Sequence, residues 1–442
     1  MTLRGLKLLI MTGCFSANLF SQNPADTIPE AFSLDECITY ALSNRPSIRQ
    51  DLLSKEIGER RININLSYWL PQVSLQYNYS HNFLLQTAAF GENLVTIGRK
   101  NNSNILLQAD QVIYNNELLL ARRGARFTRL QFDQNTENTR INTIIDVSKA
   151  FYDMLLTRQQ LIILDENIVR QEKQYRDALA RYEFGVSDKT DYQRASITLA
   201  NIGSERKRAE ESLRAKSAFL KQTMGFPIDS LLVLSYNLSI MEQEAVADTN
   251  QTLNYGNRVE FRRLQVQKQI QELNIRYFRY GFLPSISAFG NYNLLYLNND
   301  LSELYSRSFP TSVAGINLTL PIFQGGRRIQ NIRIEKLEYR FLEAEESSLK
   351  RIINTEFQTA LANYKSNYKD WVTLRENTRT AAEVYEIIQL QYNEGLRAYL
   401  DLIIAETDLR QTQLNYYNAL YRLLSSKLDL QRALGIIEIT GL

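Results

Sequence analysis

The two halves of this chain carry the same residues in the same order, about 210 positions apart, and that duplication limits what the chain can become. Asn44-Arg45 recurs as Asn257-Arg258 and Leu70-Pro71 as Leu283-Pro284, each 213 positions on. Tyr182-x-x-Gly185 recurs as Tyr392-x-x-Gly395, Asp191 as Asp401, Ala195 as Ala405 and Gly225 as Gly435, each 210 on. The offset changes only between the Leu-Pro pair and the next helix, so the insertion lies in that segment. Such a pattern predicts two copies of one structural unit. Its 442 residues would otherwise suffice for two or three unrelated domains.

The prolines outline each unit. They are Pro24, Pro29, Pro46, Pro71, Pro227, Pro284, Pro310 and Pro321, with none between 72 and 226 and none after 321. Long proline-free stretches rich in Leu, Glu, Arg, Gln and Ala favour long helices. The pattern predicts a helix over 46–68, a second over 116–183 and its equivalent over 327–394. Each long helix has 68 residues, or about 100 Å at 1.5 Å per residue. Ile141, Ile144, Ile145, Phe151, Tyr152 and Leu155 form one stripe at helical spacing. A helix of that length cannot be the core of a compact domain and needs neighbours throughout, as in a coiled coil or a helical tube. After Gly185 a shorter helix returns to about 223. Helix 46–68 has roughly the missing length, so the two stack end to end beside the long one.

Between helices lie alternating segments. Val73, Leu75, Tyr77, Tyr79, Phe83 and Leu85 share one face, with Ser74, Gln76, Asn78, Ser80 and Asn82 on the other. The return strand sets Ile105, Leu107, Ala109 and Ile113 against Gln108 and Asp110. In the second unit Ile286, Ala288, Tyr292, Leu294 and Tyr296 alternate with Ser287, Asn291 and Asn293. Its return strand sets Ala314, Ile316, Leu318, Leu320 and Ile322 against Gly315, Asn317 and Thr319. Thirteen residues at ~3.3 Å each, tilted about 45°, cover roughly the hydrocarbon thickness of a bilayer. A tyrosine-rich apolar face backed by amides and hydroxyls fits a barrel strand with a wet interior. A half-exposed soluble hairpin also alternates, but the recurrence of length in both units favours the membrane. Four strands per chain cannot close a barrel, and an open edge is not tolerated in lipid. Two chains give eight strands with a side-chain-filled interior, and three give twelve with a lumen, so a conduit suggests a trimer.

Composition removes other classes. The chain holds one His, His81, and two Cys, Cys14 and Cys37. A Cys/His zinc site and a disulfide scaffold are unavailable, and a catalytic triad would have to use His81. His81 falls mid-strand in the apolar register, as a barrel-surface or interface residue. Cys37 lies beside Ile38 and Ala41 in a short helix and reads as a buried thiol. The five Met (Met1, Met11, Met154, Met224, Met241) form no cluster that would suggest a copper or silver route. Gly325-Gly326-Arg327-Arg328 lacks the Gly-Lys-Ser/Thr of a phosphate loop, so energy must come from a partner. No catalytic residue, metal or cofactor is expected, and no enzyme activity.

Residues 1–21 read as a signal peptide, with Arg4 and Lys7 ahead of an apolar run from Leu8 to Phe20 that is too short to span. Met11-Thr12-Gly13-Cys14 is a partial lipobox, so Cys14 is either an acylated anchor or a residue removed with the signal. Basic residues number 51 against 48 acidic, and losing Arg4 and Lys7 makes the balance more even still, which argues against a nucleic-acid partner. Past residue 21 no apolar run reaches 18 residues, so a membrane-spanning part must be β.

Further motifs complete the pattern: Leu34-Asp35-Glu36-Cys37 leading to Ala41-Leu42-x-Asn44-Arg45-Pro46, both Leu-Pro pairs, Leu320-Pro321-Ile322-Phe323-Gln324-Gly325-Gly326, and two Tyr-x-x-Gly-(x5)-Asp tips. With these in order, the chain resembles the TolC-like outer membrane efflux proteins over nearly its whole mature length. The resemblance implies a mainly α fold with transmembrane β, a duplicated repeat, and a homotrimer. Its 12-stranded β-barrel, four strands per chain, would lie in outer membrane lipid and continue as a long α-helical barrel through the periplasm of a Gram-negative-type cell. It implies docking on a periplasmic adaptor (membrane fusion) protein and an inner-membrane RND or ABC transporter. The expected divisions are an extension at 22–33, a first repeat at 34–224, an inter-repeat equatorial linker at 225–256, a second repeat at 257–435 and a tail at 436–442.

The resemblance also assigns residues. Gly185 and Gly395 mark the periplasmic tips, where an adaptor would dock, although a glycine that ends a helix needs no adaptor to explain it. Tyr392 and Arg397 match gate residues that bond to a Thr-Asp pair, here Thr190-Asp191. Asp401 matches a carboxylate ring at the constriction, while a further family aspartate three positions on is Ile404 here. For Asp191 and Asp401 a favourable charge in the first helical turn is the plainer alternative. The function implied is passive passage of small molecules and drugs out of the cell. A type I protein-secretion conduit shares the fold, and the residues do not separate the two. A periplasmic coiled-coil scaffold without a pore is the reading from another class, and the barrel-type strands speak against it.

Overall fold

The computed structural model describes residues 31–439. The signal segment, Cys14, residues 22–30 and the tail from 440 lie outside the described residues. The first half runs α1 (Leu34–Asn44), α2 (Pro46–Ser67), β1 (Gln72–His81), β2 (Gln86–Phe90), β3 (Asn93–Ile97), β4 (Asn101–Tyr114), α3 (Asn116–Glu183) and α4 (Lys189–Met224). A linker carrying α5 (Leu238–Glu244) leads to α6 (Val259–Arg279), β5 (Ser285–Asn298), β6 (Ser308–Thr319), α7 (Arg327–Asn393) and α8 (Tyr399–Leu434). The long helices have 68 and 67 residues, as the proline-free stretches require. Among the described residues no helix is long and apolar enough to cross a membrane.

Capping residues place the helix starts. The Ser33 hydroxyl accepts from Glu36 N while the Glu36 carboxylate accepts from Ser33 N at 2.7 Å, a reciprocal box that opens α1. Asn115 opens α3, accepting from Glu117 N at 2.7 Å.

Strands β1, β4, β5 and β6 form one antiparallel sheet in that order, with the β4–β5 pair joining the two halves. Strands β1 and β6 are its free edges. Two strand expectations need correction. Strand β1 ends at His81, not at Leu85. The alternation continues through Phe83 and Leu85, but the ladder stops and a separate hairpin, β2–β3, turns at Gly91 (φ 66°). The second half crosses the same point on a shorter connection with a turn at Leu301–Glu303, and a longer β5 and a longer run from β6 to α7 offset most of that difference. His81 is therefore the last residue of its strand, with Nδ1 at 2.7 Å from Asn101 Oδ1. Strand β6 starts at Ser308 and ends at Thr319, leaving Leu320 and Ile322 outside it. Pro321 lacks the N–H a ladder needs and restricts the residue before it.

Each long helix carries two shorter ones stacked along it: α2 and α4 on α3, α6 and α8 on α7. The residues that revealed the duplication make the stacking joints. Gly225 ends α4 at φ 72° directly under the start of α2, where an added Cβ would stand 2.8 Å from Asn44 O. Gly435 ends α8 at φ 72°, where a Cβ would stand 2.8 Å from Asn257 O. Only glycine meets both demands. The arginines beside these joints hold the seams. Arg45 pairs with Asp146 on α3 at 3.1 Å. Arg258, buried, pairs with Glu356 on α7 at 2.9 Å and donates to Ala433 O at the end of α8 at 3.3 Å.

The main core lies at mid-height, where α1 and the linker wrap the long helices. Cys37, Ile38, Ala41, Phe151, Leu155, Met154, Met224 and Met241 share it with Leu420, Leu423 and Trp371. Three methionines scattered in sequence thus meet in an apolar core as buried packing residues. Tyr364 on α7 clamps the linker: its hydroxyl accepts from Ala247 N at 2.6 Å and donates to Ala245 O at 3.1 Å.

Candidate functional site

The sheet has two chemically different faces. Register aligns Val73, Ala109, Gly290 and Ala314 in one row, Leu75, Leu107, Tyr292 and Ser312 in the next, and Tyr77, Ile105, Leu294 and Pro310 in a third. The opposite face aligns Ser74, Gln108, Asn291 and Val313, then Gln76, Leu106, Asn293 and Thr311, then Asn78, Asn104, Leu295 and Phe309, so it is amide-rich toward β1 and β4 and mixed toward β6. Asp110 is the single Asp, Glu, Lys or Arg in all four strands; it stands on the polar face and accepts from Gln108 Nε2 at 2.7 Å. Away from the helices the apolar face ends in Tyr77, Tyr79, Tyr296 and Tyr305. The Tyr77 and Tyr305 hydroxyls lie 2.9 Å apart, and Tyr79 donates to Asn101 Oδ1 at 2.9 Å. Toward the helices Tyr68, Tyr280, Phe282 and Phe323 are exposed. Two aromatic belts flanking an apolar band are what a bilayer-spanning sheet presents.

At the far end both helical hairpins close alike. Gly185 (φ 73°) donates to Tyr182 O at 2.9 Å while Val186 N donates to Arg181 O at 2.8 Å. Gly395 (φ 77°) donates to Tyr392 O at 3.0 Å while Leu396 N donates to Gln391 O at 2.8 Å. This double bond pattern normally brings a contact between the residue after the glycine and one in the last helical turn. Here the residues in that turn are Arg181 and Gln391, so Val186 and Leu396 remain 76% and 75% exposed, beside Phe184 at 83%. Each tip is an ordered turn with apolar side chains left in solvent.

The structure brings some of the residues that the resemblance assigns to a gate together and separates others. Asp188, not Asp191, caps α4, accepting from Thr190 N at 2.9 Å; Asp191 follows in the first turn. Tyr392 lies half-buried between hairpins, its ring 4.9 Å below the Arg181 guanidinium and 5.7 Å from the Tyr399 ring. Burial pushes its hydroxyl pKa up, with Arg181 opposing and the Asp191 charge reinforcing. Arg397 stays on its own hairpin, donating to Gln391 Oε1 at 3.0 Å and standing 3.8 Å from Asp401 Oδ2. Among the described residues no bond joins Arg397 to Thr190 or Asp191 of the same chain. Asp401 lies in the first turn of α8, four residues beyond Arg397, which precedes that helix, and this nearness in sequence favours the pairing within a chain.

Polar rungs that the sequence reading did not find run up the seam between α3 and α8. Lys149 Nζ meets Asp429 Oδ1 at 2.6 Å, and Gln160 Nε2 meets Asn418 Oδ1 at 2.9 Å. Glu406 Oε2 accepts from Gln171 and, at 2.9 Å, from Gln174. The rungs fall eleven residues apart on α3 and eleven and twelve apart on α8. Eleven residues make about three helical turns, so the same face of each helix returns to the seam. The lowest rung is the buried one, with Glu406 only 3% exposed. The spacing of 149, 160 and 171 was the available signal, but polar residues at that spacing read equally well as a solvated face.

A model of the outer membrane efflux protein family matches residues 37–225 and 255–436. Outer membrane protein TolC of Vibrio cholerae is 21% identical over 414 residues, 92% of each chain. Proteases secretion protein PrtF of Dickeya chrysanthemi is 22% identical and covers 92% of this chain and 89% of its own length. The solved CmeC outer membrane channel of Campylobacter jejuni superposes with a TM-score of 0.73 at 17% identity, over 92% of this chain and 86% of its own. Duplicated sequence, four-stranded sheet and paired long hairpins agree with these likenesses: the chain belongs to the outer membrane efflux protein family.

Proposed function

We propose that three copies of this chain assemble into a passive conduit across the outer membrane, open to the periplasm at the hairpin tips. The free edges β1 and β6 carry this reading. A four-stranded sheet with one apolar face and two unpaired edges cannot rest in lipid alone, and joining β6 of one copy to β1 of the next closes twelve strands around the amide face. The long hairpins extend that lumen as a helical tube through the periplasm. The exposed Phe184, Val186 and Leu396 at the Gly185 and Gly395 tips supply a docking surface for a periplasmic adaptor, which couples the duct to an inner-membrane RND or ABC transporter. The conduit performs no chemistry, and its cargo is small molecules and drugs.

The gate belongs at the same end. In a single chain Arg397 rests on Gln391 and Asp401, so its link to Thr190 and Asp191 forms between neighbouring copies in the closed trimer. Asp401, three times over, narrows the duct with carboxylates. A second cargo class has one specific support, the likeness to the protease secretion protein PrtF over 92% of this chain. Deleting the gene and restoring it with wild type or with Gly395→Trp separates these readings. The small-molecule reading expects deletion to raise drug sensitivity and resistance to be restored by wild type only, with equal trimer yield for both. Unchanged drug sensitivity together with lost protease secretion supports the second reading, and normal export by Gly395→Trp removes the tip from the docking surface.

A further inference from the structure

The conduit reading leaves open what holds the second hairpin against the first above the tips. The seam between α3 and α8 joins the two hairpins of one chain along three polar rungs that descend from the level of the core toward the tips. Its two upper rungs are partly exposed, with Lys149 and Asp429 at 32% and 49%. The lowest is buried, about fourteen residues above Gly185 on α3, or roughly 20 Å. We propose that Glu406 is a positioning residue for the gate, a carboxylate that fastens the second hairpin to the first and whose protonation sets how firmly it does so. The proposal rests on the conduit reading.

Glu406 sits among Ala195, Tyr385, Tyr399, Leu402, Ala405 and Leu409, an apolar cluster at the seam. A buried carboxylate is costly unless bonded. Gln171 and Gln174 donate to Oε2, and Arg170 Nε stands 3.5 Å from Oε1, near enough for an ion pair but long for a hydrogen bond. The charged and titratable groups facing it are few. From α3 they are Arg170, Tyr175 at the same cluster and, 3.9 Å from Arg170, the exposed Glu166; from α7, Tyr385 and Tyr392; from its own helix, Tyr399. Among the described residues α4 contributes no ion pair to it. Arginine and tyrosine hold their protonation state across the acid-to-neutral range, so Glu406 is the buried group that changes there.

The direction follows from linkage. Swinging α8 away from α3 puts Glu406 in water, where it has an ordinary carboxylate pKa. In the closed seam burial raises that value despite the glutamines and Arg170. The closed seam therefore binds the proton more tightly than the open one. Acid favours closure, and the seam loosens as pH rises through the closed-state value. Removing the acceptor altogether leaves two buried amides without a partner, a larger loss than deprotonation.

Single-channel recording of the purified trimer in planar bilayers, from pH 7.5 down to 5, tests this, in an Asp401→Asn background that removes the constriction carboxylate. The reference trimer closes on acidification. Glu406→Gln keeps an acceptor and no charge; it stays closed across the range with a flat pH profile. Glu406→Ala raises open probability at every pH by about tenfold or more. A Glu406→Gln profile that follows the reference curve overturns the proposal, as does Glu406→Ala gating like the reference. If Glu406→Ala fails to assemble, the Glu406→Gln profile alone decides. A reference trimer that inserts and never conducts, even with Tyr392→Phe and Arg397→Ser added, contradicts the conduit reading itself and removes the gate with it.

Discussion

Gly225 and Gly435 each end a returning helix with a left-handed residue pressed against the backbone of the next stacked helix. Alanine at either position adds backbone strain and a Cβ 2.8 Å from a carbonyl oxygen, at a cost of about 1–3 kcal/mol per protomer. Each variant should lower the temperature at which the trimer dissociates in detergent, with the double variant near the sum because the joints lie in different repeats. An unchanged transition would mean the joints are loose. Cys37 offers a second test at this scale. Burial, with Glu36 reinforcing, pushes its thiol up to about 12. Little thiolate forms at pH 8, so iodoacetamide should leave Cys37 unmodified until the protein is unfolded, as peptide mass mapping would read. Rapid native alkylation would show that the α1 core is open.

Among the elements, the sheet gives the sharpest contrast. Leu107 lies mid-strand on the apolar face, and its neighbour Gln108 lies on the amide face beside Asp110. Leu107→Arg should cost about 2–4 kcal/mol or block assembly, as charge on a lipid face does near the midplane. Gln108→Arg should assemble and change conductance, because it gains a carboxylate partner and stays in water. Equal trimer yield from both would invert the assignment of faces. These elements also mark how far the sequence could be read. Helices were legible because proline-free length, capping residues and glycine tips act locally, and the joints were legible because both halves repeat them. The end of β1 was not, since alternation through Phe83 and Leu85 carries parity and says nothing about where pairing stops. The Glu406 rung was not either. Its partners lie 235 and 232 residues away in sequence, and a lone acid on a helix reads as surface until the neighbouring helix is placed.

At the scale of the whole molecule, one chain is an incomplete object. Its sheet has two open edges, its hairpins present apolar side chains along α2 and α7, including Leu53, Ile57, Leu337 and Phe341, and among the described residues Arg397 bonds to Gln391 and nears Asp401 with no bond to Thr190 or Asp191 of the same chain. The proposed trimer pairs the sheet edges, covers those helix faces and sets Arg397 of one copy against Thr190-Asp191 of the next. The Tyr392→Phe, Arg397→Ser double variant should then conduct more at equal trimer yield, because three weakened links at ~1–2 kcal/mol each shift a mostly closed pore toward open. Asp401→Asn should instead weaken block by multivalent cations. Planar-bilayer recording of the purified wild-type protein, with its mass measured in the same detergent, tests the central claim most directly. A trimer that inserts and yields discrete conductance steps is the result this account requires. A monodisperse monomer, or a trimer that inserts and never conducts even as the double variant, would contradict it.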